Sequence, residues 1–290
     1  MNRVGAWLAR GIVVTAVVML AGGPLSDPAP SRTTRALALV RAQDFTPLFD
    51  VAGKRVSAFF DPAKEKLFLD EVFSLSGKWK AVTRGQESYE RYVRKVFEEK
   101  VFRAQDFDQV LEQIRSDYLY GIAAAENRLL VALYDDIRPS RPDLSFAAFR
   151  SEYGTLAAAI APHVLRDLGM NLISFAGSDA AAVLLVAALS SVGILGTSVA
   201  AGTAGGPVTF GISLVAGLIA GIVLDAVVGD LYEDAARMEV RRHVNGLRNR
   251  MIDGVHDALV KALLAHRTLQ ERCVVALYEG GSHERLDRRP

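Results

Sequence analysis

From Ala180 to Leu224 the chain runs for 45 residues without one Asp, Glu, Lys, Arg or His. A helix rises 1.5 Å per residue, so about 20 apolar residues cross the hydrocarbon of a bilayer. This stretch is therefore long enough to cross twice. In its middle stands Gly202-Thr203-Ala204-Gly205-Gly206-Pro207, a run of residues that end helices. The reading is a Gly/Ala-rich transmembrane helical hairpin over residues 177–229, with its turn at Gly202, Gly205, Gly206 and Pro207. An unpaired amide in lipid is costly, which places that turn at the far interface.

Small residues punctuate both arms of the block. Gly196 stands in the first arm, and Ser213, Gly217 and Gly221 stand four apart in the second, so these three share one helix face. Removing side chains from a face lets helix backbones approach closely, which is how helices associate where lipid offers no hydrophobic drive. These four residues are expected to pack the hairpin and to bring copies of the chain together.

The rest of the sequence is amphipathic. Half of all residues are hydrophobic although 23% are charged, and the apolar excess is concentrated in the block. Formal net charge is +1, too small for a global field that would gather nucleic acid. The single cysteine, Cys273, excludes an internal disulfide. At the N-terminus, Arg3 and Arg10 precede the apolar run Gly11 to Gly23, so residues 1–23 read as a signal peptide or signal anchor. Gly23 stands where a lipoprotein signal requires cysteine, and lipidation is not expected. Residues 24–43, with Pro24, Pro28 and Pro30, read as a flexible linker.

Residues 44–176 read as a helical bundle domain, because apolar residues recur there at spacings of three and four. Asp61-Pro62 is a cap followed by a helix-starting proline. Gly85 breaks the chain before a charged helix whose face is Tyr89, Tyr92, Val93, Val96 and Phe97. A long helix from Asp106 to about Ile137 turns Val110, Ile114, Tyr118, Ile122, Leu129 and Leu133 inward. Arg138-Pro139-Ser140-Arg141-Pro142 is a break, and a further helix from near Asp143 should kink or end at Pro162. Residues 230–280 read as amphipathic C-terminal helices, one long helix to about His266 and a short one from Leu269 to Tyr278. Residues 281–290 read as a disordered tail. The fold class is all-α: a helical bundle, an apolar hairpin and a long amphipathic helix.

Chemistry-bearing motifs are sparse. The histidines and Cys273 show no metal-ligand spacing, and Gly202 to Gly206 lacks the Lys-Ser/Thr of a phosphate loop. No catalytic residue, metal site or cofactor is assigned. Asp225, three residues before the end of the second arm, is a candidate intramembrane polar site. Arg237, Arg241, Arg242 and Arg248 crowd the helix that leaves the block and are candidate contacts for anionic head groups. Their ordinary alternative is ion pairing on a solvated face. The expectation is a non-enzymatic, membrane-anchored scaffold or interaction module of the cell envelope. It would sit in a bacterial inner membrane with the helical domain on the exported side, with the lipid bilayer and a second copy or an envelope protein as partners and no nucleic acid. The alternative is a pore- or channel-forming protein, because the layout is similar to the membrane-inserting hairpins of helical pore-forming toxins.

Overall fold

The computed structural model describes residues 31–167, 180–191, 212–228 and 232–279, which belong to one compact unit apart from Ser31. Ten α-helices and one 3-10 turn occur among them, and no strand. In chain order they are α1 (Arg32–Arg41), α2 (Thr46–Phe59), α3 (Pro62–Val72), α4 (Leu75–Thr83), α5 (Gln86–Lys100) and α6 (Ala104–Ile137). After the turn Arg138–Ser140 come α7 (Phe146–Asp167), α8 (Ala180–Ser191), α9 (Ile212–Val228) and α10 (Glu233–Glu279).

Local chemistry sets most of the boundaries. The Asp61 carboxylate accepts a hydrogen bond from the Ala63 amide at 2.8 Å, with Pro62 in the first turn of α3. Ser74 joins α3 to α4. Its hydroxyl donates to the Glu71 carbonyl at 2.7 Å and accepts from the Gly77 amide at 3.0 Å, satisfying an end of each helix. Gly85 caps α5, and Ser145 accepts from the Ala148 amide at the start of α7.

The 47-residue α10 is the spine of the bundle, touched by α1, α2, α3, α7, α8 and α9. Helix α6 closes the other side against α1, α2, α7 and α8. One end of the core is a knot of phenylalanines. The Phe59 ring meets Phe60, Phe102 and Phe107 edge-on, each at 5.2 Å between centroids. Such pairs add about 0.5–1.5 kcal/mol each beyond their buried area, and here they tie α2 to the α5–α6 connection and to the first turn of α6.

Gly77 lies where α4 crosses the end of α3. A Cβ built on it would stand 2.2 Å from the Val72 carbonyl oxygen. Gly77→Ala should therefore destabilise the protein by about 1–3 kcal/mol through overpacking, although alanine is the better helix former by about 1 kcal/mol. Urea denaturation reads the sign, and a stabilised variant would show that α4 shifts freely on α3.

Several expectations need correction. The transmembrane hairpin is not supported: among the described residues no helix is long and apolar enough to cross a membrane. Nor do the two apolar helices lie along one another. Helix α8 packs on α10, α6 and α7, whereas α9 packs on α5, α10 and α4. The physical reason is that protein can supply the apolar surroundings these residues need. Ala181 to Leu185 and Ala187 to Leu189 are all buried, with Val186 half-buried, so α8 is enclosed nearly all round, as a helix without a polar face must be.

Within the stretch read as a linker, Arg32–Arg41 is helical, because Ala36 and Val40 find places on the core. Pro162 lies inside α7 without ending it; Ala161, Val164 and Leu165 around it are buried. Helix α10 runs through 267–268 unbroken, and there Thr268 donates its hydroxyl back to the Leu264 carbonyl at 2.9 Å. The signal segment 1–23, Gly196, the turn at Gly202, Gly205, Gly206 and Pro207, the side chain of Ser213 and the tail 281–290 lie outside the described residues.

Candidate functional site

Helix α9 is two-faced. Val215, Ile219, Ala220 and Val223 are fully buried, at the three- and four-residue spacing that lines one side of a helix. On the other side Gly217, Gly221 and Ile222 are half-buried, Leu218 is 47% exposed and Asp225 is exposed. No described atom comes within 4 Å of a Cβ built on Gly217 or Gly221. The contrast with Gly77 and Gly121 is direct, since a Cβ on Gly121 would meet the Leu48 side chain at 2.7 Å. Gly77, hemmed in by backbone, is thus a glycine the bundle itself requires, whereas at Gly121 the flexible Leu48 side chain can give way. Gly217 and Gly221 lie half-buried on the side of α9 opposite its buried face, beside the exposed Leu218.

Asp225 ends this face at its exposed margin.

The arginines on α10 are mostly engaged. Arg237 donates to Glu233 at 2.9 Å and to Asp70 at 3.1 Å while its guanidinium lies 5.0 Å from the centre of the Phe73 ring. Burial pulls its pKa down, but the hydrogen bonds to Glu233 and Asp70, with the charges of both carboxylates, together hold it above the ordinary value. Arg241 pairs with Glu65 at 3.1 Å and Arg242 with Glu239 at 3.6 Å. Arg248 makes no ion pair among the described residues. These contacts link α10 to α3, so the cluster spends most of its charge inside the fold. Lys78 adds a link from α4 to Glu233, and together with Arg237 it holds the Glu233 carboxyl below the usual range.

A buried polar seam was not read from the sequence. His266, Gln270 and Cys273 follow one another along α10 and are all buried, and Tyr153 of α7 is buried too. Neither ring nitrogen of His266, neither amide atom of Gln270 nor the Tyr153 hydroxyl has a hydrogen-bond partner among the described residues. Burial pushes the Cys273 thiol up to about 12, with the Glu126 charge adding to it, and raises Tyr153 as well. It pushes His266 down to about 4. A spacing signal was present: His266, Gln270 and Cys273 fall on the inward stripe that Leu259 and Leu263 begin.

A groove of about 640 Å³ between α1, α7 and α10 is lined by Leu37, Leu156, Val275 and Ala276. Arg41 pairs with Glu271 across its rim at 2.9 Å. Among the described residues no group of three His, Cys, Asp or Glu could hold a metal ion.

Comparison with protein-family models, with curated proteins and with solved structures found no match to this chain.

Proposed function

We propose that this chain is a non-enzymatic helical scaffold of the cell envelope, working at a membrane and self-associating through the outward face of α9. The carrying observation is the orientation of Gly217 and Gly221. A pair of glycines four apart, half-buried beside the exposed Leu218, lies opposite the buried face of its helix, and no described atom would meet a Cβ on either. Two such faces allow close backbone approach between copies, and an apolar patch left outward calls for a partner.

Gly217→Leu tests this. The substitution puts a side chain on this face and should weaken self-association at least about tenfold, the equivalent of 1.4 kcal/mol. It should leave the melting temperature unchanged or raised, because leucine is the better helix former and the site is open. Sedimentation equilibrium of both proteins in detergent micelles reads the association. An unchanged association constant would remove α9 as the contact.

A second reading has its own observation. Helix α8 is apolar and enclosed by amphipathic helices, which is the arrangement of a stored membrane-inserting element, so a pore former that releases this helix is the alternative. Leakage of a small dye from liposomes on adding the wild-type protein would favour it over the scaffold, and intact liposomes would remove it.

A further inference from the structure

Helix α4 is inside out. Its inward side is Gly77 and Ala81, both buried, while Leu75, Trp79 and Val82 are 87%, 69% and 64% exposed. These three stand four and three apart, so they form one stripe along the outer side. The ordinary arrangement of a surface helix is the reverse. What holds it this way is the crossing on α3, where Gly77 leaves no room for a side chain. Helix α4 therefore presents its stripe from a firm seat.

The surroundings say what would cover the stripe. Lys78 and Lys80 flank Trp79; Lys78 pairs with Glu233, and the Lys80 ammonium lies 4.1 Å from the centre of the Tyr92 ring. The Lys78–Glu233 pair brings Tyr232, itself 85% exposed, to the same end of the bundle. From Leu75 to Lys100, α4 and α5 carry seven basic residues against four acidic ones. Lys78 and Lys100 are paired with Glu233 and Glu71 outside this segment, which leaves Lys80, Arg84, Arg91, Arg94 and Lys95 against its four carboxylates. Exposed Trp and Tyr with lysines at their margins match the water–lipid boundary, where amphipathic rings sit at head-group level and basic residues meet anionic lipids.

The size of the stripe argues the same way. Three side chains offer on the order of 400 Å², about half of what one partner contributes to a standard protein–protein interface. Shallow insertion into a bilayer needs no such area.

We infer that α4 is a membrane-interface contact, its Leu75–Trp79–Val82 stripe inserting among anionic lipids while Lys80 and Arg84 beside it engage head groups. This deepens the membrane part of the reading above and is independent of the α9 contact.

Trp79 is its own reporter. With Trp7→Phe the full-length chain has one tryptophan. On vesicles of phosphatidylcholine with phosphatidylglycerol, its emission should shift to the blue, and bromine-labelled acyl chains should quench it. High salt or pure phosphatidylcholine should weaken both effects. Leu75→Ser with Val82→Ser should lower vesicle affinity at least about tenfold, while the unfolding midpoint without lipid stays put because both sites are exposed.

Vesicle binding with Trp79 emission unchanged would overturn the α4 contact and leave the membrane reading standing. No vesicle binding at all would overturn both. A blue shift that grows with protein concentration in the absence of lipid would assign the stripe to a protein partner and overturn the proposal.

Discussion

Leu184→Ala is expected to lower the unfolding free energy by about 2–5 kcal/mol. Leu184 is fully buried, in a helix that packs on α10, α6 and α7. Truncation there removes apolar contacts and leaves a cavity that the surrounding helices close only in part. A leucine facing lipid would behave differently, because acyl chains flow into the space and no cavity persists. The measurement therefore separates a helix walled by protein from one walled by lipid. Val186→Ala is the internal comparison. Val186 is half-buried, so its loss should cost about 1 kcal/mol or less. Equal and small effects at both positions, read by urea denaturation, would mean that the bundle does not hold α8.

The same contrast explains which parts of the fold were legible. Capping chemistry is local, so Asp61-Pro62, Gly85 and the break at Arg138–Pro142 announced their helix ends. The inward faces of α5 and α6 were legible because charged residues mark their opposite sides: Tyr89, Val93, Val96, Phe97, Ile114, Tyr118, Ile122, Leu129 and Leu133 are buried as the spacing requires, while Tyr92 and Val110 at the edges are half-buried. Helices α8 and α9 carry no such marking up to Leu224. Lipid and protein are both apolar, and an uncharged helix reads alike in either. The deciding information lay elsewhere, in how much apolar surface the other helices had to cover. A single apolar stripe on α10 would need one partner. Its buried residues also include Ala236, Ala258, Ala262, Ala265 and Leu269, a band wide enough for several helices. Alanines hide such a band because they score weakly as apolar while permitting close approach.

The candidate faces were legible to different degrees. The Gly217-Gly221 pair was visible as a motif, but only the fold places it opposite the buried face of α9. The α4 stripe was not read from the sequence, and by spacing alone Leu75, Trp79 and Val82 would make an inward face. The small residues Gly77 and Ala81 reverse that reading, through a contact with α3 that no single-helix pattern contains.

The protein is expected to lose stability between about pH 6.5 and pH 4, and His266 is the reason. Its ring is buried, both nitrogens lack partners among the described residues, and burial pushes its pKa from 6.5 down to about 4. The unfolded chain takes up a proton at the ordinary histidine value, while the folded chain refuses it until much lower. In that interval the unfolded state binds more protons, so stability falls as pH falls and levels off below the folded value. The difference of about 2.5 units corresponds to roughly 3 kcal/mol. Tyr153 and Cys273 of the same seam are raised rather than lowered and stay neutral throughout this range. Asp167 and Glu233, held below the usual carboxylate range chiefly by their bonds to Arg272 and Lys78, stabilise the fold above the ordinary carboxylate value and lose that effect only at more acid pH. The windows are separable, and His266→Leu separates them. It replaces a partnerless polar ring with an apolar side chain, so stability at pH 7.5 should hold or rise. Between pH 6.5 and 4 its urea midpoint should stay nearly level where the wild type declines, and below that both should fall together. Equal losses in both proteins across the upper window would show that His266 is not held neutral by its burial.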